Sequence, residues 1–194
     1  MKRILLLLFL TSILSAQALK LGEAKGLFMG ISVGPRFPVG TFSDSHGIGI
    51  GGNVSFSYTD NLVLPLFYYL KIGYQHNPGN QNYYKTTDYS SISTDMVTIS
   101  PGARFYFPPF LENVVILMPV IEAGFTYSYS ETWNNFKSDS NRKNFYSDVS
   151  SYGFHISGGF SMFLLDVMLS YYYLKDFQSV DLDLSIRIPI FMKM

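Results

Sequence analysis

From Leu27 onward, large apolar side chains recur at every second position, and this alternation restricts the fold more than any other feature of the chain. Period two is the spacing of a strand whose two faces meet different surroundings, and the three-four spacing of an amphipathic helix is almost absent. In Tyr152-Gly153-Phe154-His155-Ile156-Ser157-Gly158-Gly159-Phe160-Ser161-Met162, bulky apolar residues alternate with Gly, Ser and His. Val180, Leu182, Leu184, Ile186, Ile188 and Ile190 share one face near the C-terminus, with Asp181, Asp183, Ser185 and Arg187 on the other. The chain reads as all-β. After the first residues no stretch offers the ~18 uninterrupted apolar residues of a helical span. If this chain enters a membrane it must do so as a closed barrel, because only closure pairs every backbone group in lipid.

The N-terminus assigns a compartment. Lys2 and Arg3 precede the apolar run Ile4 to Leu10, and Ala16-Gln17-Ala18 offers the small-x-small pattern of a signal-peptidase site. The run is too short for the ~20 residues of a spanning helix, so residues 1–18 read as a cleaved signal peptide. Residues 19–25 follow as a short periplasmic lead and 26–194 as the barrel domain. Losing Lys2 and Arg3 leaves twelve basic residues against the 14 acidic ones, a mature net charge near −2. Such a balance offers no basic surplus for nucleic acid. Only 14% of residues are charged while 17% are aromatic, against roughly 25% charged in an ordinary soluble protein. Much of the surface is therefore expected to face something other than water. Cysteine is absent, which removes disulfides, thiolate metal sites, cysteine nucleophiles and lipoprotein anchoring.

Eight segments carry the alternation: about 26–36, 47–59, 62–75, 94–107, 114–130, 149–163, 166–175 and 180–192. Each approaches or exceeds the ~9 to 11 residues of a tilted transmembrane strand. Their connections alternate in length. Asp60-Asn61, Pro108 to Asn113 and Leu164-Leu165 are short, whereas Phe37 to His46, His76 to Ser93 and Glu131 to Asp148 are long and polar. The fourth long-side connection, Asp176 to Ser179, is brief. Short turns on one side and long loops on the other fit an antiparallel up-and-down transmembrane barrel with periplasmic turns and extracellular loops. Tyr68, Tyr74, Phe105, Phe107, Tyr127, Tyr129, Tyr171 and Tyr173 fall on the apolar parity towards strand ends, where aromatic girdles form. A soluble sandwich with an aromatic core would leave the Gly and Ser of the opposite parity unexplained. Pro65, Pro101 and Pro119 lie within strand runs and call for bulges or strand starts, since each removes a ladder donor.

On these residues the chain resembles the small bacterial outer-membrane β-barrel proteins of the OmpX, opacity-protein and OmpA membrane-domain type. The resemblance covers residues 26 to 194. Its carriers are Met29-Gly30-Ile31-Ser32-Val33-Gly34, the turn after Tyr58-Thr59-Asp60, Ile72-Gly73-Tyr74, Pro101-Gly102-Ala103-Arg104-Phe105-Tyr106-Phe107 and the alternating C-terminus. In that family the last strand usually ends in an aromatic residue read by the assembly machinery. Here Ile190, Met192 and Met194 occupy the matching parity and Phe191 the other.

If the apolar parity faces lipid, the lumen receives Arg36, Lys71, Arg104, Glu122, His155, Asp181, Asp183 and Arg187. An eight-stranded barrel is just wide enough for its side chains to fill, so buried ion pairs are expected there, with Arg104–Glu122 and Asp183–Arg187 as candidates. A gated pore whose pairs swap is the functional alternative. His155 and Ser157, two apart on one strand, resemble the His-x-Ser of outer-membrane lipid A deacylases. In that family the pair faces lipid and a downstream Glu follows, whereas here it lies on the small-residue parity and no Glu follows Glu131. His46 and His76 stand apart in loops, and no metal-ligand spacing, phosphate loop, catalytic triad or cofactor fingerprint is visible. No cofactor is expected. Tyr83, Tyr84, Tyr89, Trp133, Phe136 and Tyr146, set among polar loop residues, suit contact with an extracellular protein or glycan, or pack on the barrel rim. The expected function is a structural or surface-interaction role in the outer membrane, not an enzyme, with lipopolysaccharide and the barrel assembly machinery as partners. The alternatives are a narrow passive channel, a lipid A hydrolase and a lipocalin-like periplasmic cup.

Overall fold

The computed structural model describes residues 25–60, 66–109, 117–162 and 164–193. The signal peptide and most of the lead, the asparagine of the Asp60-Asn61 turn, Pro65 and most of the Pro108 to Asn113 turn lie outside the described residues. Eight strands follow in chain order: β1 (Lys25–Val39), β2 (Gly49–Thr59), β3 (Leu66–Pro78), β4 (Tyr89–Tyr106), β5 (Met118–Phe136), β6 (Phe145–Met162), β7 (Leu165–Leu174) and β8 (Gln178–Lys193). Each pairs antiparallel with its neighbours, and β8 returns to β1 between Lys25↔Lys193 and Val39↔Gln178, closing the barrel. Closure removes the sheet edge around the ring. Among the described residues two short helices, α1 (Phe42–Ser45) and α2 (Gln81–Thr86), sit in the first two loops.

Alternation sets the two faces. Along β8, Asp181, Asp183, Ser185 and Arg187 are buried while Leu182, Leu184, Ile186 and Ile188 are exposed, and β6 repeats this with His155 and Ser157 inside and Phe154 and Ile156 outside. A water-soluble barrel would reverse the two faces. Apolar outside and polar inside is the arrangement whose solvent is hydrocarbon.

At the loop end β1 and β3 each run to three residues past their expected limits, and three strands run farther. β4 begins at Tyr89 and not near 94, β5 runs on to Phe136 past 130, and β6 starts at Phe145 before 149. Trp133 and Phe136, expected in a loop, are therefore strand residues, as are Tyr89 and Tyr146. The Ser, Thr and Asn positions between them suit a sheet wetted on both sides, so pairing continues beyond the apolar band. Asn134 pairs with Phe145 and Tyr89 with Phe136, whereas β3 ends at Pro78 opposite Ser93 and β7 at Leu174 opposite Gly153. The upper parts of β4, β5 and β6 thus rise above the ring as a three-stranded sheet, and β6 from 145 to 152 has no strand on its β7 side among the described residues.

Pro101 forms neither a bulge nor a strand start. The β4–β5 ladder is interrupted at Ser100-Pro101 and resumes in the same register at Gly102↔Gly124, while Pro101 still lies opposite Leu70 on β3. Pro119 sits one residue inside the start of β5. Near the C-terminus the register against β1 slips by one residue, so that Phe28 faces Pro189 but Leu27 faces Phe191. The slip turns Phe191 to the lipid side with Leu27, a correction to the parity expected from the sequence. A bulge shifts every later side chain by one face, and no local pattern in the last strand announces it.

Candidate functional site

The lumen is filled in layers. At the loop end α1 folds inward and places Phe42 against Phe177 from the last loop, their rings 4.9 Å apart at 83°. Met96 and Leu174 complete this buried apolar cluster. His46 follows α1 directly. Its ring lies 4.3 Å from that of Phe42, its Nδ1 bonds the Ser45 hydroxyl and its Nε2 the Thr94 hydroxyl, each at 2.8 Å. Burial holds the imidazole neutral by lowering its pKa to about 4. The cluster stops the lumen like a cork.

Beneath it Arg36 donates from Nη2 to Asp183 at 2.8 Å, with its Nε 3.4 Å from Asp181. Next comes an uncharged layer, in which His155 bonds the Tyr69 hydroxyl at 2.6 Å and the Thr126 hydroxyl at 2.8 Å, with Tyr172 stacked on its ring. Both ring nitrogens are thereby engaged, neither by Ser157, so the His-x-Ser pair makes no nucleophile–base contact.

Lower still, Glu122 receives Lys71 Nζ at 3.1 Å and the Arg104 guanidinium, while Asp166 receives Arg104 Nη1 at 3.1 Å and Arg187 Nη2. The Tyr106 hydroxyl accepts from Arg104 Nη1 at 3.0 Å and from Arg187 Nη1. The sequence-based pairing of Asp183 with Arg187 is corrected: these residues join Arg36 and Asp166 instead. Four residues along a strand span ~13 Å, farther than two side chains on one strand can close, so each partner comes from a neighbouring strand, Arg36 on β1 and Asp166 on β7. Tyr69, Tyr106 and Tyr172 belong to these layers but were not singled out as candidate lumen residues. Inward parity was their only signal, and an aromatic run such as Tyr171-Tyr172-Tyr173 conceals it.

On the outer face, Tyr68, Tyr74, Tyr127, Tyr129 and Tyr173 are exposed. Phe105 and Tyr171 are half-buried, and Phe107 lies just beyond β4, its N–H donating to Pro119 O. Phe125 and Tyr152, also outward, are the most exposed large apolar residues among those described, at 76% and 81%. On the projecting sheet Trp133 and Tyr146 lie side by side, exposed, their rings 6.0 Å apart. Tyr83, Tyr89, Phe136 and Phe145 form a chain of neighbouring rings at 5.8, 4.7 and 5.9 Å, with Arg142 over Phe136. Tyr84 is not available in the same way, because its hydroxyl bonds the backbone N and O of Ile92.

No protein-family model matches the chain, and no curated protein matches it in sequence. Solved structures do share its fold. Neisserial surface protein A superposes with a TM-score of 0.56 at 16% identity, covering 85% of this chain and 97% of that one. Ail, the attachment invasion locus protein of Yersinia pestis, gives 0.50 at 9% identity, covering 87% and 100%. The fold is that of the small eight-stranded outer-membrane barrels, and at these identities the likeness extends to the fold alone.

Proposed function

We propose that this chain is an integral outer-membrane barrel with a structural and surface-interaction role, exported on the leader 1–18 and carrying out no catalysis. Its termini and short turns face the periplasm and its loops the exterior. One observation carries the reading: a barrel whose lumen is packed with ion pairs and corked by Phe42 and Phe177 raises a sheet bearing exposed Trp133, Phe145 and Tyr146. Aromatic rings on a rigid sheet suit a protein or glycan partner. Lipopolysaccharide surrounds the girdle, and the assembly machinery reads the outward Phe191 near the C-terminus. The names of the two structural neighbours, a surface protein and an attachment protein, point the same way.

Vesicles carrying the protein should be retained on arrays of extracellular proteins or glycans, and Trp133→Ala with Tyr146→Ala should lower retention at least fivefold while folding is unchanged. Retention that survives both substitutions rejects the surface role. In planar bilayers the packed lumen should give no discrete conductance, and regular steps would favour the narrow channel.

A further inference from the structure

The lumen changes character at its periplasmic end. Below the layer of Arg104 and Arg187 the inward positions turn apolar, and Phe28, Phe67, Met118, Pro189 and Met192 line a cavity of about 440 Å³. Phe67 lies between the other two rings, 5.7 Å from Phe28 and 4.9 Å from Tyr106. Arg187 and Tyr106 also reach this cavity and form its polar floor.

The floor is not electrically balanced. Among the described lumen residues, Lys71, Arg104 and Arg187 face only Glu122 and Asp166 in this layer, leaving one positive charge in excess. The compensating charge lies above the neutral His155 layer, where Arg36 meets both Asp181 and Asp183. In addition, the Tyr106 oxygen already accepts from two guanidinium groups, so its own hydrogen is directed away from them.

We infer that this periplasmic mouth is a binding site for a single-chain anionic amphiphile, a fatty-acid carboxylate being the simplest case. Its carboxylate meets the surplus charge and the Tyr106 hydroxyl, and its alkyl chain lies along Phe28, Phe67 and Met118. Size selects one chain over two, since 440 Å³ lies near the lower end of the roughly 300–1,000 Å³ of small-molecule sites. An apolar lining at this end of the barrel also gains from being covered by a bound alkyl chain.

The test uses the full barrel in nanodiscs of zwitterionic lipid, titrated with dodecanoate labelled with ¹³C at its carboxyl carbon. A saturable resonance of one ligand per protein, absent from empty nanodiscs, is expected. Met118→Trp fills the cavity without touching the charges and should weaken binding at least tenfold, as should Arg187→Gln, with folding of each verified by heat-dependent gel migration. Should Arg187→Gln fail to fold, Met118→Trp decides alone. The methyl ester of the same acid should give no saturable signal. The inference is overturned if no protein-specific resonance appears, if the folded variants bind as the parent does, or if the ester binds as well as the acid.

Discussion

Glu122 is the residue on which the lower lumen layer depends, because among the described residues it alone receives both Lys71 and Arg104. Removing one member of a buried pair strands the other and costs roughly 3 to 5 kcal/mol. The two ends of this pair are not equivalent. Glu122→Gln raises the excess of positive charge from one to two, whereas Arg104→Met removes the excess, leaving Lys71 with Glu122 and Arg187 with Asp166. Urea unfolding in detergent micelles should therefore show a loss of about 3 to 5 kcal/mol for Glu122→Gln and less than half of that for Arg104→Met. Equal losses would mean that the pair acts in isolation. Inward parity let the sequence place Arg104 and Glu122 in one lumen, but Asp166 and Lys71 complete the layer from other strands. Partners across a barrel depend on shear and on tilt, which no local pattern records.

At the scale of elements, α1 and the residues after it act as a cork whose hold depends on pH. The folded His46 has its pKa lowered to about 4 by burial, while an exposed imidazole titrates near ~6.5. Between these values the open form binds more protons than the closed one, so the cork is fully stable above ~6.5 and loses stability as pH falls towards ~4, by roughly 3 kcal/mol in all. Limited proteolysis of the first loop should accelerate over that window, and His46→Phe should flatten the response. An unchanged profile in His46→Phe would place the pH dependence elsewhere. Strand identity was legible because alternation is local, and β2, β7 and β8 start or end within two residues of the expected limits. The outer limits of β4, β5 and β6 were not. Membrane thickness was the ruler used on the sequence, and these strands continue into water, where Ser, Thr and Asn serve a strand as readily as a loop. The slip that turns Phe191 outward was hidden for a related reason, since register is a property of two strands and the sequence presents one at a time.

For the whole molecule, the unequal ends predict the sidedness. A tag inserted at Ser138, in the connection between β5 and β6, should be reached by antibody on intact cells, while one at Asp60 should be reached only after the outer membrane is opened. The opposite pattern would invert the barrel. Closure leaves the ring without an edge, but the sheet above it keeps one along β6 from 145 to 152, which among the described residues has no neighbouring strand on the β7 side. A free edge standing in water is a template for another chain, and Asp148 on that segment supplies the charge that keeps identical edges apart. The parent protein should consequently show little edge-to-edge association in solution. Asp148→Thr should raise the oligomer fraction measured by light scattering after gel filtration, most visibly at low ionic strength, where the lost repulsion counts most.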